Sequence, residues 1–358
     1  MRLPVTAVCC LPLLLVTGCG ADLAPAQDTG PAVGVVLPDR TTSARWEEQD
    51  RPLLQGAFER AGVRAAIENA EGDETRFAAL VDRMIGQGVR VIVMTPLSAD
   101  GGRAAQEKAA TAGVSVIDYE RLTPGGRAEY HVGFDNVRAG RLQAEELLRC
   151  TGAGARIAEL LGGADDPNTA QFAAGNQEVL ADRYLKGERV LVERRHVDRW
   201  DPEVATRQIT EILDRTGNDV DGVLAANDGI ASAVLTVLRA RGLAGRVAVT
   251  GMDGTTEALR AVLRGEQCMS VHKPIRDEAE AAAQLALALV RGKPGSADDL
   301  VSGNVRDGSR NVKAILLGPE VATRRTIGRL VSQNAVRGRA LCAGEFAQLC
   351  QENQITVR

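Results

Sequence analysis

Acids, amides and an arginine stand at or just after the ends of short apolar runs: Asp39, Glu120 with Arg121, Asp166, Asn227 with Asp228, and Asp253. Carboxylate, amide and guanidinium groups are planar and can hold a ring of hydroxyls through paired hydrogen bonds. The chain spends 3% of its residues on aromatics and has two tryptophans. Trp46, in "TSARWEEQDRPLL", and Trp200, in "HVDRWDPE", both sit among charges where no apolar stripe requires them. An indole face covers the C–H side of a sugar ring. Together these residues suit recognition of a polyhydroxylated ring. Each alone has a plainer use, and Asn227–Asp228 in particular would cap a helix starting at Gly229. Turnover has no comparable set. No Ser-His-Asp or Cys-His arrangement and no G-x-S-x-G elbow is present. Asp165–Asp166, adjacent on a loop, is a weak glycosidase pair. His131, His196 and His272 are isolated and no C-x-x-C occurs, so no metal site is expected. "TGAGAR" lacks the third glycine of a dinucleotide turn and precedes a strand, so no cofactor is expected either.

The elements that must position these residues follow one rhythm. Val/Ile-rich runs such as "AVGVVLP", "VRVIVMTPL" and "VSVIDYE" alternate with helical periods from about Glu48 to Ala61, over "DETRFAALVDRMIGQG" and over "GGRAAQEKAATAG". After "EYHVGFDN" the alternation begins again, through "RIAELLGG", "ERVLVERRHV", "VDGVLAAND" and "VAVTGMDG". Short buried runs separated by helices indicate βαβ units and parallel sheet. Two successive halves of this kind predict an α/β protein of two doubly wound, Rossmann-like lobes, with ligand beyond the carboxyl ends of the strands. The chain has 358 residues, which suits two domains. Net charge is −4 with no basic block, which argues against a nucleic-acid partner.

The opening "MRLPVTAVCCLPLLLVTGCG" carries one positive charge, a short apolar stretch and then small residues. This is signal-peptide logic over residues 1–18, and the stretch is too short to span a bilayer. "LVTGC" resembles a bacterial lipobox, which makes Cys19 the lipidated first residue, followed by a flexible tether over 19–31. The expected location is the outer face of the cytoplasmic membrane, held by lipid only. Outside the cytoplasm cysteines favour disulfides. Cys342 and Cys350 are close enough to pair, while Cys150 and Cys268 are left open.

The markers "ARW", "DYERL", "VGFDNVRAGRLQA", "GGADDPN", "VDRWDPE", "AANDG", "TGMDGT" and "MSVHKPI" run in order from about Val33 to Ile327. In that order and spacing the chain resembles the bacterial periplasmic xylose-binding protein family, the substrate-binding components of carbohydrate ABC transporters. The resemblance implies a type I periplasmic-binding fold with a three-segment hinge and a monosaccharide enclosed between the lobes. It assigns ligand contacts to Arg45, Trp46, Arg121, Asp166, Trp200, Asn227, Asp253 and Lys273, with Glu120 standing where the family has Asp. Arg199 and Met252 replace a Gly and a Gln of the family pattern. The implied partners are a monosaccharide, xylose or a related aldose, and the permease subunits of a transporter, with the protein itself a monomer. A sugar-sensing receptor for a membrane sensor is the alternative. A sugar-responsive repressor would need a DNA-binding segment where the signal stands. Lobe boundaries are expected at 32–134 plus 274–310 and at 135–273 plus 311–358. The chain should change lobe near Gly133–Asn136, Val271–Pro274 and Arg310–Ala314.

Overall fold

The computed structural model describes residues 1, 30–43, 45–292, 295–308 and 310–357. Cys19 and the signal and tether around it lie outside the described residues. Everything below belongs to the unit Pro31–Arg358.

Strands β1 (Val33–Leu37), β2 (Ala65–Asn69), β3 (Val91–Met94), β4 (Ser115–Tyr119) and β5 (Tyr130–Phe134) enclose helices α1 (Arg51–Arg60), α2 (Glu74–Gly86) and α3 (Ala99–Thr111). The second half follows as α4 (Asn136–Cys150), β6 (Arg156–Leu161), α5 (Pro167–Leu185), β7 (Val190–His196), α6 (Pro202–Thr216), β8 (Gly222–Ala225) and α7 (Asp228–Ala240). Then come β9 (Ala248–Val249), β10 (Met252–Asp253), α8 (Thr256–Arg264), β11 (Ser270–His272) and α9 (Ile275–Arg291). The chain closes with β12 (Gly303–Asp307), β13 (Arg310–Leu317), β14 (Glu320–Ala322) and the short helices α10 (Ile327–Ser332), α11 (Gly338–Leu341) and α12 (Phe346–Glu352).

A seven-stranded sheet runs β12-β13-β5-β4-β3-β1-β2, parallel except for the β12–β13 hairpin. A four-stranded parallel sheet runs β7-β6-β8-β9. Every residue of β1, β3 and β5 is buried, as strands covered on both faces must be. Around the large sheet, one cluster joins Val35, Phe58, Ile117 and Ala283, and another joins Val36, Phe77, Met84 and Ile92. The smaller sheet is likewise packed on both sides. Both sheets are therefore doubly wound.

A third sheet, β10-β11-β14, lies where the chain passes between the two. The run "VAVTGMDG", expected as one strand, is divided between sheets. Thr250 turns its hydroxyl onto Ala225 (Oγ1 accepts from N at 3.1 Å), and a Cβ at Gly251 would collide with the Asp228 carboxylate. Asp135 and the pair Lys273–Pro274 lie at two of the places where the chain passes from one sheet to another. The third needs correction. β13 pairs with β5 through Leu317, so residues 311–317 belong with the large sheet and the crossing falls at Gly318–Pro319. A strand's partner is set by tertiary packing, which local pattern does not reveal.

Among the described residues two disulfides are present, Cys150–Cys268 and Cys342–Cys350. The second lies wholly within the tail and does not itself tie the tail to the second lobe. That tie is an apolar cluster of Ile327, Leu330 and Leu341 against Leu259 and Val262 of α8. Arg260 reinforces it by donating to the Ala340 and Leu341 carbonyls.

Candidate functional site

The segment after β1 first forms a tight turn. Asp39 accepts from the backbone N–H groups of Thr41 and Thr42 and from the Thr42 hydroxyl, so it shapes the loop, and it lines the adjoining opening beside Arg121 and Asp166. Trp46–Asp50 is a π-helical turn leading into α1, a geometry often found at functional positions. It sets the Arg45 guanidinium 4.5 Å over the Trp46 ring.

On the second lobe, helix starts supply the polar groups. Asp166 caps α5 by accepting from Asn168 N (2.9 Å), while its Oδ2 accepts from Trp200 Nε1 (3.1 Å). Asn227 caps α7 through Oδ1 and directs Nδ2 at the Thr42 carbonyl of the other lobe (3.4 Å). Capping and site roles thus share one side chain. Asp228 stays beneath the site, accepting from Thr255 N (2.8 Å) and Ser270 Oγ (2.7 Å). Helices α4 and α5 approach until a Cβ on Gly140 or Gly175 would strike the other helix's backbone, which lets Asn136 donate to Asn168 Oδ1 (2.9 Å). Asn168 in turn donates to Glu120 (3.0 Å) across the cleft.

All nine residues singled out as ligand contacts line one cavity: Arg45, Trp46, Glu120, Arg121, Asp166, Trp200, Asn227, Asp253 and Lys273. Thr42, Ser43, Asn168, Phe172 and Met252 complete the lining. Asn168 lies two residues past Asp166 in "GGADDPN", and Phe172 follows it by one helical turn, so both share the face that Asp166 starts. An aromatic inside a helix reads as core, which hid Phe172.

Three cations and three carboxylates line the cavity, so it has no net charge of its own. Lys273 Nζ stands 3.3 Å from Glu120 and 3.5 Å from Asp253. Burial alone would lower that ammonium, but the two carboxylates raise its pKa above the ordinary lysine value. Burial opposes Glu120 in the same way, yet Lys273, Arg45 and Arg121 keep its pKa below the usual carboxylate value. Arg121 Nε lies 2.9 Å from Asp166 Oδ2, without the angle a hydrogen bond needs. Burial raises the Asp166 carboxyl despite that neighbour. Glu120 (φ 66°), Trp200 (φ 58°) and Asp253 (φ 105°) have backbone in the region that favours glycine. Strain of ~1–3 kcal/mol at such residues is typical of ligand clamps.

The profile of the periplasmic binding protein domain matches residues 33–294. The chain belongs to the periplasmic sugar-binding protein family. It is similar to the D-xylose-binding periplasmic protein of Haemophilus influenzae, 30% identical over 288 residues that cover 80% of this chain and 85% of that one. It is also similar to the multiple sugar-binding periplasmic receptor ChvE of Rhizobium radiobacter, 28% identical over 312 residues, 82% of this chain and 87% of that one. Among solved structures, a carbohydrate transporter solute binding protein from Chloroflexus aurantiacus in complex with D-glucose superposes with TM-score 0.79 at 26% identity. The match covers 87% of this chain and 98% of that one. The fold is the type I periplasmic-binding fold, and the relatives are solute-binding proteins, so this chain is a binding protein and not an enzyme.

Proposed function

We propose that the protein captures a monosaccharide, xylose or a related aldose, outside the cytoplasmic membrane and hands it to the permease subunits of an ABC transporter. One observation carries the reading: a small cavity between the lobes, neutral overall, whose walls both donate and accept hydrogen bonds. A polyol has hydroxyls that do both, whereas a phosphate would call for an excess of positive charge. Trp46, Trp200, Phe172 and Met252 add the apolar surface that a ring's C–H faces require. The nine residues singled out from the sequence act as ligand contacts in this reading. The protein works as a monomer held to the membrane by lipid on Cys19. The name of the Haemophilus relative favours xylose, and the Chloroflexus complex shows a hexose in a similar frame.

Calorimetry against a panel of pentoses and hexoses tests the proposal. We expect at least one pentose to bind with Kd near the micromolar range, about −8 kcal/mol, and no sugar to be consumed. Absence of heat with every pentose and hexose at millimolar concentration would overturn it. A second reading, a receptor that reports sugar to a membrane sensor, is favoured by the word receptor in the name of the Rhizobium relative. Both readings use the same closed lobes, and sugar uptake by cells lacking the protein separates them.

A further inference from the structure

Arg45 is 2% exposed, and its guanidinium is held on one edge by two carboxylates. Nε donates to Asp50 Oδ2 at 2.9 Å, and Nη2 donates to Asp50 Oδ1 at 2.7 Å and to Glu278 Oε2 at 2.5 Å. Tyr119 steadies the first carboxylate, its hydroxyl donating to Asp50 Oδ1 at 2.5 Å. Asp50, Glu278 and Tyr119 are fully buried, and none of them lines the cavity. The Trp46 ring at 4.5 Å and the Phe134 ring at 5.6 Å fix the plane of the guanidinium. A guanidinium has five N–H donors, and three are used here. The two on Nη1 have no partner, although that atom is buried.

Packing alone would not call for this cluster. Two carboxylates and a guanidinium out of water stabilise a fold no better than apolar side chains of similar size. What the cluster does supply is a fixed orientation for Arg45. We propose that Asp50, Glu278 and Tyr119 are positioning residues that leave Nη1 as the one free donor edge of Arg45, so that the cavity reads the ligand group in front of it as a hydrogen-bond acceptor. This rests on the monosaccharide reading and adds to it the polarity demanded at one ring position. A hydroxyl there accepts from Nη1. Fluorine at the same position still accepts, weakly, and a hydrogen cannot.

The test combines a set of monodeoxy and deoxyfluoro analogues of the best-binding sugar with a double-mutant cycle. For one ring position we expect the deoxy sugar to bind at least 30-fold more weakly than the parent and the deoxyfluoro sugar within about 5-fold of it. Arg45→Met should abolish that discrimination. Glu278→Gln should weaken the parent sugar about 10-fold in the native background and less than 2-fold in the Arg45→Met background. A merely structural role would give the same loss in both backgrounds. If Glu278→Gln does not fold, Tyr119→Phe, which removes one hydroxyl, takes its place with an expected loss of about 3-fold that also vanishes with Arg45→Met. Equal losses in both backgrounds, or no position at which Arg45→Met removes the discrimination, would overturn this proposal and leave the capture reading standing. A native protein that binds no sugar overturns both.

Discussion

Single side chains here serve two masters. Asn227 gives Oδ1 to the first turn of α7 and points Nδ2 across the cleft, so the backbone fixes where the amide stands. Trp200 adopts a backbone conformation that costs energy for a bulky residue, and it meets Phe172 edge-on at 6.4 Å. Truncating such residues removes ligand contact and also leaves neighbours unpaired. We expect Asn227→Ala to weaken sugar binding by about 2–4 kcal/mol, because the facing hydroxyl stays buried without a partner and the helix cap is lost as well. Trp200→Ala should cost ~1–3 kcal/mol through lost apolar area and stacking. Titration calorimetry of the two variants measures both, and losses below a factor of two would remove these residues from the contact set. The residues themselves were legible because strand ends and isolated tryptophans stand out in a chain this poor in aromatics. Asn168 was less so, since an amide inside a helix start looks like a cap and its bond to Glu120 depends on the other lobe.

At the level of elements, alternation of buried runs and helical periods was enough to read both doubly wound sheets. The hairpin of β12 and β13 was not, because "GNVRDGSRNVKAILL" reads equally well as a return strand of either lobe. The pairing that decides it, Val132 beside Ile315, joins residues far apart in sequence. The disulfides divide in the same way. Cys342 and Cys350 are separated by 8 positions and Cys150 and Cys268 by 118, so proximity in sequence pointed only to the first pair. Their separations also set different stabilities. In the chain-entropy account the short loop contributes ~2.5 kcal/mol and the long one ~5 kcal/mol. Urea unfolding of the Cys342→Ser/Cys350→Ser and Cys150→Ser/Cys268→Ser proteins should therefore show the larger loss for the second. The long bridge ties the end of α4 to the segment that feeds β11 and the Lys273 crossing. A larger loss from the tail pair would mean that the tail, and not the second lobe, limits stability.

Across the whole molecule, the site exists only when the lobes meet. Arg45, Trp46, Glu120 and Arg121 come from segments around the large sheet, and Asp166, Trp200, Asn227 and Asp253 from segments around the other two. Ser43 donates to Asp253 at 3.2 Å, and Asn168 reaches Glu120 at 3.0 Å, so the walls touch across the gap. Each of these two bridges ends on a carboxylate and is worth ~1.5–3 kcal/mol in net terms. Bonds of that size hold a closed state only marginally against water, whereas a sugar that satisfies both walls adds its own hydrogen bonds to closure alone. Hinge closure of the kind by which periplasmic binding proteins enclose their ligands follows from that difference. The crossings at Asp135, Lys273–Pro274 and Gly318–Pro319 are where the backbone would absorb the rotation. We expect the radius of gyration to fall on saturation with the cognate sugar, towards the ~20 Å of a compact chain of this length. Pairing the walls through a covalent link offers a control: a disulfide introduced by Ser43→Cys with Asp253→Cys should hold the compact radius without ligand. Small-angle scattering on the native protein with and without sugar reads the change directly. An unchanged radius alongside saturating binding would place the ligand outside the cavity between the lobes.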